Sequence, residues 1–245
     1  MRVFVDRIHR KPRIWSNREL EKFAHLFHGD VANVSGWRDI DKEGRRYREY
    51  FRGASSYTIT NYRSEDRGFQ GFDNEIFLNL EKNLPRNLLQ RFDVVFNHTT
   101  LEHIYAVQKA FGNLCAMSRD VVILVLPFLQ QYHSNYGDYW RFSPLAIKRM
   151  FEDNHFTLLY QSFNSHARSS VYIFTIASRK PEKWVGNFHW SFTCEDSQPV
   201  GSEPYIGCHA IPNSGHRLSR SIGSLLRWPN RAFKRMAERY TTKIS

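Results

Sequence analysis

Two periodicities take turns along the chain. Near-continuous apolar stretches at residues 92–96 (FDVVF) and 120–126 (DVVILVL, ending at Pro127) predict strands buried on both faces of a parallel sheet. Shorter strands are expected at 30–34, running into SGWRD, at 56–60 and at 75–80. Two final strands, 156–163 and 171–177, flank the polar turn NSHARSS. Between them the period lengthens to that of a helix. Leu20, Phe23, Ala24 and Phe27 make one apolar stripe over 16–28, with Ser16 and Glu19 at capping-box spacing and Gly29 where a left-handed residue ends a helix. A second helix is expected over 101–117, capped by Thr99 and Glu102. A third starts at Ser143-Pro144 with Leu145, Ile147, Met150 and Phe151 on its buried side. Strands alternating with helices imply an α/β layered domain with a mainly parallel sheet.

The pattern also divides the chain. Residues 1–29 read as a helical lead-in and 30–180 as the α/β domain. Residues 181–216 form a Gly/Pro/Ser-rich segment without clear period. Residues 217–245 form a basic tail, in which Ile222, Leu225 and Leu226 fit one short amphipathic helix and Phe233, Met236, Ala237 and Tyr240 fit another after Pro229.

Composition narrows the class. The 245 residues are 41% hydrophobic and 15% aromatic, enough for one sizeable core and contrary to disorder. Cysteine occurs only at 115, 194 and 208, with no CxxC pair, so a reducing compartment is expected and a zinc ribbon is not. The basic N-terminus lacks the apolar core of a signal peptide, and the longest apolar run, 121–129, is too short to span a bilayer. A soluble, cytoplasmic protein is expected. The tail holds eight basic residues and one acid, so it carries +7 of the net +11, and the remaining charge is ordinary. The high isoelectric point therefore gives no ground for nucleic-acid binding.

Candidate chemistry concentrates where FDVVF runs into NHTTLEHI. His98 and His103 are five apart across a strand-to-helix junction, which is not the helical zinc spacing, and no metal is expected. Helix capping accounts for Thr99 and Glu102. Asn97 and His98 remain, at the carboxyl end of a parallel strand, where open α/β sheets bind ligands.

The stretches RFDVVFNHTTLEHIYAVQKAFGNLC, VVILVLP and GDYWRFSPLAIKRMFEDNHF resemble the central part of a class I S-adenosylmethionine-dependent methyltransferase. The likeness spans about residues 30–178 and is most specific over 91–156. It implies a Rossmann-like three-layer sandwich with a mainly parallel seven-stranded sheet and an antiparallel last strand. It also implies S-adenosylmethionine as cofactor. The family's glycine-rich loop has its counterpart in ANVSGWRD, 32–39. Asn33 stands there for an acid, and Ser35, Trp37 and Asp39 stand for glycines, with Gly36 beside the pattern. Thr60 and Asn61 fall where an acid holds the ribose, and Asn79 and Leu80 fall near the adenine position. Together with Asn97 and His98 these are the expected cofactor-binding residues.

YHSNYGDYWRF follows the fifth strand. His133 is the candidate to take a proton from an acceptor hydroxyl, with Asp138 orienting it. Tyr139, Trp140 and Arg141 are candidate acceptor-binding residues, the two rings serving either as a stacking platform for a sugar or as core. DYWRFTP-like motifs occur in family members acting on sugars or cell-surface glycans. The resemblance thus implies an O-methyltransferase acting on a sugar in polysaccharide or glycolipid biosynthesis. Loss of the loop glycines and acids leaves a second reading open, a non-catalytic methyltransferase-like binding module. A nucleic-acid methyltransferase has no support beyond the tail, because NHTT replaces a (D/N)PP(Y/F/W)-type motif. The tail itself fits three roles equally: resting on anionic lipid at the inner face of the membrane, where each Lys or Arg contributes about 1 kcal/mol, packing back on the domain, or contacting another protein.

Overall fold

β-branched and aromatic runs dictate the sheet. The computed structural model describes residues 6–63, 68–133, 137–164, 166 and 168–188. In chain order these are α1 (Arg10–Phe23), β1 (Gly29–Val34), β2 (Ala54–Asn61), β3 (Glu75–Phe77), β4 (Phe92–His98), α2 (Val107–Met117), β5 (Ser118–Leu129), α3 (Pro144–Asp153), β6 (Thr157–Phe163) and β7 (Val171–Ser178). One seven-stranded sheet results, in the order β3-β2-β1-β4-β5-β7-β6. Only β7 runs antiparallel to its neighbours, β5 and β6. The chain has the Rossmann-like methyltransferase fold. Its strand order reverses between β1 and β4, and the crevice at their carboxyl ends is where such sheets take ligands.

Each face of the sheet has its own core. On one, Ala110, Phe111 and Leu114 of α2 and Ile147, Met150 and Phe151 of α3 cover Val95, Val122 and Leu124. On the other, Leu20 of α1, with Ala24 and Phe27 just beyond it, packs over Val31, Val94 and Phe96. Between β1 and β2 no α-helix occurs among the described residues. The loop from 35 to 53 carries one short 3₁₀ turn, Tyr47–Glu49, and its Tyr47, Tyr50 and Phe51 fill the space that a helix would take.

Four local expectations need correction. First, α1 starts six residues before Ser16, because Pro12 lies in its first turn, where the missing N–H costs nothing. Ser16 and Glu19 are therefore interior residues, and Glu19 accepts hydrogen bonds from Tyr160 Oη (2.8 Å) and Ser162 Oγ (3.1 Å). Second, 101–117 is not one helix. A 3₁₀ turn, Leu101–His103, is separated from α2 by an extended Ile104, and neither Thr99 nor Glu102 caps it. Third, β5 continues past Pro127 to Leu129. Its pairing with β4 ends at Val125, so proline deprives no β4 partner of a donor. Fourth, Leu145 is exposed, whereas Ser143 caps α3 as expected, accepting from Ala146 N at 3.2 Å. The expectations for residues 189–245, including the basic tail, lie outside the described residues.

Candidate functional site

The loop leaving β1 takes left-handed turns at three positions that are not glycine. Ser35 (φ 57°), Trp37 (φ 48°) and Asp39 (φ 60°) are all left-handed, a conformation that costs an L-residue about 1 kcal/mol or more. Hydrogen bonds hold them there. Asp39 is buried, and its carboxylate accepts from Asn33 Nδ2 (2.8 Å), Tyr57 Oη (2.6 Å) and Arg48 N (3.1 Å). Burial nonetheless raises its pKa. Asn61 Oδ1 accepts from Trp37 N at 2.7 Å, while Asn61 Nδ2 donates to Trp37 O at 3.0 Å and to the Glu75 carboxylate. Ser35 N and Gly36 N are taken up by Thr60 Oγ1 and Thr60 O. Gly36 is there for space, since a Cβ would lie 2.5 Å from Asn33 Nδ2.

Asn97 closes the β1–β4 crevice from below. Its Nδ2 donates to Val34 O at 2.8 Å, and its Oδ1 is buried with no hydrogen-bond partner among the described residues. His98 is committed to a ring of hydrogen bonds with α1. Ser16 Oγ donates its one proton to Arg13 O, so His98 Nε2, at 2.8 Å, is the donor to Ser16. Thr99 Oγ1 then faces the bare Nδ1 of His98 at 3.1 Å while accepting from Arg13 Nη2 at 3.1 Å. Burial and the Arg13 charge push His98 well below the usual histidine range and keep it neutral. Asn79 caps the turn at Glu81 N (2.9 Å), and the Leu80 side chain belongs to the core under α2.

Beyond β5 a second polar group assembles. Asp138 is clamped by both terminal nitrogens of Arg141, and His133 N donates to it at 2.8 Å. Burial alone would raise this carboxyl, but Arg141 and the His133 amide override it and hold it at about 2. His133 Nδ1 lies 3.2 Å from Asp138 Oδ2, and its ring packs edge-on against His103 and His9. His103 Nδ1 lies against Gly137 O, and Tyr139 N donates to Glu102 O at 2.8 Å, tying this loop to the turn after β4. Trp140 Nε1 donates to Ile104 O at 3.0 Å, which leaves its ring at the surface beside Tyr105 and Tyr139, 72% and 53% exposed. The bland alternative for these rings, core packing, does not hold.

The structure thus brings His133, Asp138 and Arg141 together, and Asn33, Ser35, Gly36, Thr60 and Asn61 together. It adds residues to which the pattern of the chain gave no role at this rim. His9, Arg13, Ser16 and Asn17 recur at helical spacing at the start of α1 and run along the rim, reaching His133, Thr99, His98 and Tyr47 in turn. Glu102 is the other. It is 1% exposed, and burial lifts its carboxyl to about 7. His9, His103 and Arg13 were legible only as polar residues near a strand end or a chain terminus.

Fold and rim together define a class of architecture, the seven-stranded methyltransferase sheet with its crevice over β1 and β4. Solved structures of that fold resemble the chain. A structure from Bacillus halodurans C-125 assigned as a methyltransferase matches at TM-score 0.50 and 10% identity, over 66% of this chain and 97% of its own. The 1,6-didemethyltoxoflavin-N1-methyltransferase of Burkholderia thailandensis, solved with its substrate and S-adenosylhomocysteine, matches at 0.50 and 15% over 69% and 79%. The trans-methyltransferase CalH, solved with S-adenosylhomocysteine, matches at 0.50 and 14% over 67% and 57%. Neither a protein-family model nor a curated protein sequence matches the chain. At these identities the likeness establishes the fold.

The residues fit S-adenosylmethionine in two respects. Three left-handed residues in the loop at 35–39 turn the backbone sharply over the crevice, and Asn97 offers a buried, unsatisfied acceptor there. Where the resemblance puts the ribose, Asn61 is bonded to the Trp37 backbone and to Glu75, so it would have to exchange these contacts for a ligand.

Proposed function

We propose that the chain is an S-adenosylmethionine-dependent O-methyltransferase whose acceptor is a sugar hydroxyl in surface polysaccharide or glycolipid biosynthesis. The observation that carries this reading is the left-handed path at Ser35, Trp37 and Asp39 over the β1–β4 crevice, kept at a conformational cost that a mere connection would not require. Asn33, Ser35, Gly36, Thr60, Asn61, Asn79, Leu80, Asn97 and His98 are the residues assigned to the cofactor side. The cofactor supplies the methyl group. His133 takes the proton of the acceptor hydroxyl, and Asp138 fixes the orientation of that imidazole. Tyr139 and Trp140, joined by Tyr105, offer an exposed aromatic platform of the kind on which a pyranose ring stacks, and Arg141 holds the loop that presents it. The work is done in the cytoplasm, with the basic tail resting on the membrane's inner face or on a partner protein.

One observation favours a second reading, a non-catalytic binding module: Asn61 is spent on Trp37 and Glu75 rather than facing the crevice. Calorimetry with S-adenosylhomocysteine separates the two. Binding in the micromolar range supports the methyltransferase, and its absence at millimolar ligand leaves only the module.

A further inference from the structure

The loops after β4 and β5 bring a set of metal-ligating side chains together. One donor atom from each of His103, His133 and Asp138 lies within 4.8 Å of the other two. His103 follows β4 and the other two follow β5, so two loops meeting in space make the set, not a local motif. The spacing that set aside His98 with His103 has no bearing on it, and His98 stays apart, committed to Ser16.

The three groups are prepared as ligands. A carbonyl only accepts, so His103 Nδ1 carries the proton that faces Gly137 O, and the lone pair of that ring is on Nε2. Metal-ligating histidines are held in this way, their second nitrogen oriented by a backbone carbonyl or carboxylate. Burial lowers the His103 pKa and so favours the neutral ring. Asp138 is the anionic member. It accepts from both terminal nitrogens of Arg141 and from His133 N, which leaves one of the roughly four lone-pair positions of a carboxylate. The His133 ring is packed edge-on by His103 and His9, with centroids 5.0 and 5.3 Å away. Tyr139 N, bonded to Glu102 O, holds the two loops at this separation.

We infer that His103 Nε2, a ring nitrogen of His133 and the Asp138 carboxylate form a site for a divalent transition-metal ion of the Zn²⁺ type, with water completing the shell. Bonds of about 2.0–2.1 Å at tetrahedral angles set donor atoms about 3.3 Å apart, so the set closes on the ion by at most about 1.5 Å. Two imidazoles suit zinc, copper, iron or nickel, whereas Mg²⁺ and Ca²⁺ demand oxygen shells. Arg141 already takes up part of the Asp138 charge, which disfavours a hard cation further. The inference does not rest on the proposed methyl transfer. The two meet at His133: an imidazole whose lone pair holds an ion cannot take a proton, so metal occupancy switches off that base.

Titration of the metal-free full chain with Zn²⁺, in competition with a chromogenic chelator, tests this. One equivalent is expected to bind with micromolar affinity or better, undisturbed by millimolar Mg²⁺. His103→Asn puts an amide N–H where Nδ1 faces Gly137 and removes only Nε2. It should weaken Zn²⁺ binding more than about a hundredfold, since outer-shell contacts alone are worth about 10–100-fold, with the circular dichroism spectrum unchanged. His133→Ala should weaken it as much. Co²⁺ bound to the wild type should show the visible bands of a tetrahedral nitrogen–oxygen site without thiolate charge transfer, which separates this site from ions held by cysteine. Absence of stoichiometric Zn²⁺ binding, affinity unchanged in both variants, or thiolate bands with Co²⁺ would overturn the inference. S-adenosylhomocysteine calorimetry without metal reports on the methyltransferase reading alone, so either can fail without the other.

Discussion

Asp138 shows how much a single side chain organises at this rim. Its two oxygens receive Arg141 and the His133 amide while its own burial opposes ionisation. The folded-state pKa is lowered from 3.8 to about 2, so the carboxylate contributes stability above pH 4 that is lost as pH falls through about 2. The contribution at neutral pH is about 2 kcal/mol. Asp138→Asn should lose it, and its acid-unfolding profile should be flatter than that of the wild type between pH 4 and 2, read by circular dichroism. Glu102 is the opposite case at the same rim. Its raised pKa favours the protonated form in the fold, which is fully stabilising below pH 4.5 and loses that advantage as pH rises through about 7.

At the scale of elements, the loop from 35 to 39 carries strain that hydrogen bonds hold in place. Ser35→Gly places the residue suited to a left-handed backbone there and keeps the hydrogen bond to Thr60, which the main-chain N–H of residue 35 makes. The substitution should raise stability by up to about 1 kcal/mol in urea unfolding. The sheet and this loop were legible in the chain, because β-branched runs and a residue pattern around Gly36 survive without any tertiary knowledge. The start of α1 was not. Pro12 and a basic run hide a first turn that needs no donor, and once the helix was begun at Ser16 its rim-facing residues Arg13 and His9 had no place in it. Glu102 was obscured differently. Its spacing from Thr99 matches a capping motif so well that the local explanation pre-empted a role set by burial. Asn97 and His98 close β4, and His133 lies a few residues beyond β5, so strong strand signals placed them in the chain.

For the molecule as a whole, α1 is the piece that joins core to rim. Its later turns bury Leu20 against the sheet, and its earlier ones carry Arg13 and Ser16 to the end of β4. Glu19 ties this helix to the far end of the sheet through Tyr160 and Ser162 of β6. Glu19→Ala should therefore destabilise by about 3 kcal/mol, as loss of charged, buried hydrogen bonds does.

The paired contacts between the Asn61 amide and the Trp37 backbone have a kinetic consequence. If the cofactor's nucleoside lies over β2 as the proposed function has it, that amide must rotate away first, and entry divides into a slow rearrangement and a fast capture. In stopped-flow mixing, the observed rate should climb with nucleoside concentration and then level off at a ceiling set by the side chain rather than by diffusion. Asn61→Ala, with nothing left to rotate, should restore a straight line.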